Sequence, residues 1–539
     1  MRQVALLLAL FALLAAAAPA SAAAGGEGDA GPERITREEA IAAADRDPKV
    51  REQRHQDAPL APVATTNDEG EWQVSYFGGG EQRALVVVDP DSGEVLESWT
   101  GYQMTWNMAR GYSGAFGHKV NAPYVFLPLC VLFLLGLVDW RRLRRIANLD
   151  LLVLLGFGLS HYFFNRADIG VSVPLVYPVL LYLFGRCMWI GLRGRGGGLR
   201  PVWPAAWLLV AALFLMGFRV GLNIADAGTI DVGYAGVVGA DRIAHGEPIY
   251  DNFPDDILQG DTYGPVNYLA YVPFEWVLPW HGTWDDLPAA HGAAVLFDVA
   301  TFVLLILLAM RIRPGPAGRR LAATFAFGWA AYPYTAYALE SNSNDSLVAA
   351  LLVAALLLAT KPFARGVTLA AATWAKFIAG ALAPMFLTYE RKSRAAALFA
   401  LGFALVTAAV LIWPAVDPGL QTFYERTIGA QAGRESPFSI WGQSPSLEPI
   451  RIILLLGLAS LSLVFAFVPH PKSLLQLTAL SAALLILVQL TMQHWFYLYI
   501  VWFYPLFLVA LASEDANEPR RRLAPGPSPA QRSRQVPAR

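Results

Sequence analysis

The sequence predicts a mainly α, polytopic helical membrane protein of about thirteen membrane segments, preceded by a small α+β domain on the extracytoplasmic side. Three observations carry that prediction. Hydrophobic residues make up 55% of the 539 and charged residues only 15%, which no soluble domain of ordinary composition shows. The apolar residues gather in repeated runs close to the ~20 needed to cross ~30 Å of hydrocarbon. Lys and Arg collect in short clusters at the ends of those runs, as expected where basic residues are retained in the cytoplasm. The net charge of −1 carries no basic surface of the kind nucleic acid needs. The bilayer is therefore an expected partner and nucleic acid is not. Cys130 and Cys187 both fall inside apolar runs, so neither a metal pair nor a structural disulfide is expected.

Residues 1–23 combine an early Arg2, the apolar core LLLALFALLAAAA and the small residues PASAAA, and read as a secretory signal peptide. An uncleaved anchor is the alternative, although the apolar core is short for a span. Residues 24–120 then form the exported domain. Within it ITREEAIAAADRDPKV predicts a short helix, with Thr36 and Glu39 in the Thr-x-x-Glu capping pattern. WQVSYF and ALVVVDPDSGEVLESW predict strands, the latter pair joined by a turn at Asp89, Pro90, Asp91, Ser92 and Gly93.

The membrane body divides into accessory helices, 121–203, and a main domain, 204–513, with an outer loop at 224–288. Placing the basic clusters at 141–145, 193–200, 311–320, 361–365, 391–394 and 520–522 in the cytoplasm sets the order. It predicts segments near 122–139, 149–164, 172–190, 204–223, 289–310, 321–338, 345–360, 366–375, 377–389, 395–413, 450–468, 473–490 and 496–512. Between Arg365 and Arg391 only about twenty-five residues remain, and both flanks belong to the cytoplasm. Two half-spanning helices with Lys376 at the turn satisfy both flanks, and broken helices at membrane depth line polar cavities. A single helix with a snorkelling Lys376 is the alternative. YGPVNYLAYVPFEWVLPW (263–280) is short and interrupted by Pro273, so it reads as a re-entrant or interfacial helix. Gly- and Pro-rich residues 514–539 read as a disordered cytoplasmic tail.

On this topology several polar groups share the outer face: the loop from Asp226 to Asp261, the ESNSND turn (340–345), Lys376, the 414–449 loop and the QHW turn (493–495). Such convergence predicts a site. Its centre is the stretch RVGLNIADAGTIDVGYAGVVGADRIAHGEPIYDNFPDDILQGDTYGP, residues 219–265, where a long apolar run gives way to carboxylates, Tyr, His, Gly and Pro.

An apolar helix followed by IDVGYAGVVGADRIAHGEPIYD and then by YGP opening a hydrophobic stretch resembles the membrane glycosyltransferases of the C superfamily, particularly glycosyltransferase family 87. The resemblance covers roughly residues 205–512. It implies a glycosyltransferase C-type fold that transfers a sugar, commonly mannose, from a polyprenyl-phosphate donor on the extracytoplasmic face to a lipid or glycan acceptor. It places Asp231, Tyr234, Gly246 and Tyr250 at the family's matching positions, and Asn342, Asn344, Lys376 and His494 at further family features. Tyr263, Gly264 and Pro265 depart from the family's Tyr-Pro-Pro, and Glu340 to Asn344 depart from its Gly-Gln-x-Asn turn. The motif VDPDSGEVLES in the exported part resembles the small extracytoplasmic PepSY domain.

Transfer from a lipid phosphate needs a base for the acceptor hydroxyl and a cationic or donor-rich partner for the departing phosphate. Asp231 is the expected base, with the alternative that it merely caps the helix VGYAGVVGADRIAHG; Asp226 suits either task. Arg219, Lys376 and His494 are the candidate phosphate partners, and His245 reads as a loop residue. The acidic pairs Asp255/Asp256 and Asp285/Asp286 lack accompanying ligands at metal spacing, so no metal and no cofactor is expected. A transporter or flippase and a membrane sensor with a ligand-binding exported domain are the alternative functions. Against the transporter stands the missing inverted repeat, and the scatter of the eight His argues against a haem-type redox protein.

Overall fold

The computed structural model describes residues 34–513 apart from 57–58, 68–69, 80, 112–116, 258, 391, 433 and 435. The expected signal peptide, the expected tail, Arg391 and the cluster at 520–522 lie outside the described residues. The chain divides into two compact units, one ending at Asn107 and one beginning at Met108.

In the first unit, helix α1 (Arg37–Ala44) starts at the expected capping box. The Glu39 N–H donates to Thr36 Oγ1 (3.3 Å) and the Thr36 N–H donates to Glu39 Oε2 (2.8 Å). Helix α2 (Pro48–Gln56) follows, and then four strands, β1 (Ala61–Thr66), β2 (Trp72–Gly78), β3 (Glu81–Val88) and β4 (Val95–Thr100). They form an antiparallel meander in sequence order. Alternate residues Val74 and Tyr76 of β2 and Ala84, Val86 and Val88 of β3 point to one face, where Ala40, Ala44 and Val50 of the helices cover them. The β3–β4 turn falls where expected. Asp89 Oδ1 accepts the N–H groups of Asp91 (3.0 Å) and Ser92 (2.6 Å), and Gly93 takes φ +71°, an Asx turn closed by a glycine free of Cβ strain.

The second unit is helical: α3 (Pro123–Leu137), α4 (Ile146–Leu155), α5 (Phe157–Phe164), α6 (Ile169–Arg193), α7 (Ala205–Asp226), α8 (Asp231–His245), α9 (Pro288–Ile312), α10 (Gly315–Ala331), α11 (Pro333–Glu340), α12 (Asp345–Leu357), α13 (Pro362–Ala375), α14 (Ser393–Val416), α15 (Glu448–Phe467), α16 (Leu474–Thr491) and α17 (Ile500–Ala512). Each of the thirteen expected stretches carries helix. Among the described residues seven stretches are, by length and composition, able to cross a membrane: Ile146–Phe164, α6, α7, α9, α14, Pro445–Phe467 and α16. Four more apolar helices are shorter, namely α3, α12, Phe377–Leu387 and Tyr497–Ala512.

Helix α16, opened by a Ser473/Gln476 capping box, is buried nearly all round, whereas α14 and α15 leave most of their apolar surface uncovered. In a bilayer such apolar faces meet lipid, and a helix apolar on every side and covered by protein is the centre of the body. Three ion pairs lie within the body, where bare charge is costly in hydrocarbon. Asp150 of α4 meets Arg186 of α6 at 2.9 Å, Arg219 of α7 meets Asp298 of α9 at 2.8 Å, and Lys376 meets Asp345 at the head of α12. The chain breaks at Lys376, whose extended backbone (φ −140°, ψ 121°) ends α13 before a 3-10 turn at Phe377–Leu382. Residues 263–280 form two short turns, Pro265–Leu269 and Val272–Glu275, since prolines at 265 and 273 each start a helix and cannot continue the one before.

Candidate active site

The site is built where α7 gives way to α8. Each of the three residues before α8 is tied to another segment by one hydrogen bond. The Asn342 side-chain amide donates to Gly228 O (3.0 Å), the Trp284 indole N–H donates to Thr229 O (3.0 Å), and the Ile230 N–H donates to Ser341 O (3.2 Å). Asn342 is itself fixed: its Oδ1 accepts from Asn223 at 2.9 Å and its Nδ2 lies 3.0 Å from His291 Nε2. Its φ of +48° is one that Asn tolerates better than most residues.

Asp231 opens α8 from this fixed base. The capping position belongs to Ile230, which offers no side-chain cap, and Asp231 Oδ1 accepts only the adjacent Val232 N–H at 2.9 Å. The capping alternative therefore does not describe Asp231. Instead its carboxylate lines a cavity of about 240 Å³, with Asp256, Gln259, Thr262, Tyr263, Trp284 and Arg434 among the other walls. Asp231 is an exposed residue whose carboxylate opens on the cavity, with protein packed closely around it. Desolvation raises its pKa, opposed first by the positive charge of Arg434 and then by the Val232 N–H and Lys376. A base so placed holds its proton more tightly than a surface carboxylate does.

Lys376 stands behind the Tyr263 wall. Its ammonium donates to Asp345 Oδ1, which also accepts the Trp502 indole N–H at 2.7 Å, and it lies 4.9 Å from the Trp502 ring and 5.4 Å from the rings of Tyr263 and Tyr499. Aromatic faces and the Asp345 carboxylate around the ammonium favour its cationic form. His494 Nδ1 pairs with Ser436 Oγ at 2.9 Å. Its pKa is driven well down, first by burial and then by the charges of Arg434 and Lys376, so it acts as a neutral imidazole. Tyr234 donates its hydroxyl to Asp256 Oδ2 at 3.1 Å and stacks on Trp284 with ring centres 4.8 Å apart.

The other expected residues stand farther back. Tyr250 donates to Tyr263 O at 3.0 Å and packs edge-on to Phe423, bracing the wall from outside the cavity. The Asn344 amide donates to Asn267 Oδ1 at 2.8 Å. His245 ends α8 with its ring 3.2 Å from Asp241. Of the expected site residues Asp231 alone lines the cavity, and two stand apart from it altogether. Asp226 lies at the end of α7 and pairs with Lys119 at 3.3 Å. Arg219, expected beside a phosphate, is wholly buried; it donates to Asp298, the Trp329 carbonyl and Thr335. Its charge is spent on Asp298, one turn or more inside the helical body.

Arg434 and Trp284 are cavity residues that sequence reasoning did not single out, and Asp256 entered it only as half of an acidic pair. The signal for Arg434 was its place in the 414–449 loop, on the face where the expected topology leaves few basic residues. The same loop is stapled to the cavity's rim by Arg426, which grips the fully buried Asp261 in bidentate fashion at 2.7 and 2.9 Å. Among the described residues no three His, Cys, Asp or Glu stand together as a metal site requires.

Residues 262–492 match the model of glycosyltransferase family 87. The matched segment covers less than half of the chain. It includes Tyr263, Asn342, Asn344, Lys376 and Arg434, while Asp231 and Tyr234 precede it. No curated protein matches the chain.

Proposed function

We propose that the chain is a membrane glycosyltransferase that moves a sugar, mannose foremost, from a polyprenyl-phosphate donor to a lipid or glycan acceptor on the extracytoplasmic face. The observation that carries this reading is the presence, in the lining of one cavity, of the Asp231 carboxylate and Arg434, whose charge acts on it, and the family match of residues 262–492 supports it. Asp231 takes the proton of the acceptor hydroxyl as that oxygen forms its bond to the anomeric carbon. The bond from the anomeric carbon to the phosphate oxygen breaks, and the lipid phosphate leaves as an anion. Arg434 meets the charge that grows on it, and Lys376, held in place by Asp345, adds to the positive potential. Because the leaving group is already anionic, orientation and charge placement do most of the work.

Neutral His494 supplies a hydrogen bond rather than a charge, and Arg219 and Asp226 are left to structural duty. The first unit reads as an exported PepSY-like module preceding this body. The test is transfer of radiolabelled mannose from polyprenyl-phosphate mannose in membranes holding the wild type or Asp231→Asn. Asn keeps the shape and removes the base, so the variant should fold and lose about 10²–10⁴ in rate. Equal activity in both would remove Asp231 from the mechanism.

A further inference from the structure

One wall of the cavity has a chemistry that the base and the phosphate partners do not use. Trp284 is 42% exposed and lines the cavity. One side of its indole is covered by the Tyr234 ring, with a 28° interplanar angle, and its N–H is engaged by Thr229 O. The indole is thus held from behind and from its edge, and the surface left over is flat, apolar carbon. Around it stand polar groups of mixed character: the Asp256 carboxylate, oriented by the Tyr234 hydroxyl, and the side chains of Gln259 and Thr262.

A flat apolar face bordered by hydrogen-bonding groups is complementary to a pyranose ring, which carries C–H bonds on its faces and hydroxyls round its edge. The volume, about 240 Å³, lies below the ~300–1,000 Å³ of pockets for drug-sized ligands, so it holds one ring and not a chain of them. We propose that Trp284 is the floor of a monosaccharide subsite, with Asp256, Gln259 and Thr262 reading the hydroxyls of a single pyranose. In its kinetic arm this rests on the glycosyltransferase reading; in its binding arm it does not. The ring belongs to the donor or to the acceptor, and the two sources are separable by which substrate's KM responds.

The experiment compares full-length wild type, Trp284→Phe and Trp284→Ala in nanodiscs prepared without glycoside detergent. Saturation-transfer NMR with methyl α-mannopyranoside and methyl α-glucopyranoside reads binding directly. Both variants lose the hydrogen bond to Thr229, but only the Phe variant keeps an aromatic face. Expected is pyranoside signal in the wild type and in Trp284→Phe, and its loss in Trp284→Ala. In transfer assays the KM for the sugar-bearing substrate should rise about tenfold in Trp284→Ala with kcat little changed, and recover in Trp284→Phe.

If Trp284→Phe fails as badly as Trp284→Ala, Trp284 acts only by holding Thr229, and the subsite is overturned. Lack of pyranoside signal from the wild type, or undiminished signal from Trp284→Ala, overturns it equally. Trp284-dependent binding in a protein that transfers no sugar from any polyprenyl-phosphate donor would leave the subsite standing and sink the transferase reading.

Discussion

Replacing Arg219 by Met separates a structural cation from a substrate-binding one. The guanidinium makes four donations: to Asp298 at 2.8 Å, to Thr335 Oγ1 at 3.1 Å, to the Trp329 carbonyl at 3.2 Å and to the Thr335 carbonyl. Met fills much of the volume and none of those bonds. Removing one partner of a buried ion pair costs about 3–5 kcal/mol, most of it the orphaned charge. Asp298 keeps the Trp329 indole N–H at 2.9 Å, which puts the expectation at the lower end, about 3 kcal/mol, or a factor of roughly 150 in the folded-to-unfolded ratio. Thermal unfolding of the purified protein should show a midpoint lowered by a few degrees. Adding Asp298→Asn removes the orphaned charge while its amide oxygen still accepts from Trp329, and should recover at least half of the loss. Transfer activity measured well below the midpoint should stay within about threefold of wild type, because the pair lies outside the cavity. Unchanged stability together with lost transfer would refute this reasoning and return Arg219 to the phosphate.

Two further outcomes follow from the cavity's walls. Arg434 favours the anionic form of Asp231, so Arg434→Gln leaves desolvation less opposed. The acid limb of kcat/KM, where Asp231 picks up its proton and the base is lost, should move to higher pH; a limb that stays put would separate the two residues. Gly264→Ala would bring a methyl within 2.0 Å of the Trp374 carbonyl oxygen and 2.6 Å of its carbon, a backbone collision that should cost about 1–3 kcal/mol or more. Gly185→Ala, with nothing within 4 Å, is the control in the same thermal-unfolding measurement and should be near neutral.

The helices were legible because burial in lipid or protein writes itself into runs of apolar residues, and their ends into Pro, Gly and charge. The break at Lys376 was legible for a different reason: two basic flanks required the same side of the membrane. What could not be read were pairings between distant residues. Arg219 near the end of an apolar run has the same appearance whether it meets a phosphate or Asp298, seventy-nine residues later. A charge within AVLFDVATF was the available hint, since an acid in an apolar helix calls for a partner. Asp226 was open to the same confusion, its partner being Lys119 from before the first apolar helix. At the site, Asp231 in the cavity and Lys376 and His494 outside its lining follow from residue type and resemblance, but Trp284 and Arg434 line the cavity through the folding of two loops, which no local pattern encodes.

The three ties that hold residues 228–230 come from Asn342, Trp284 and Ser341. A carboxylate mounted on such a peg has little motion left for a substrate to quench. Binding of the sugar therefore recovers little backbone ordering cost at Asp231. Adaptation to other substrates is free to proceed through the walls that face Asp231, Trp284 among them, while Asn342 and Ser341 keep the base in place.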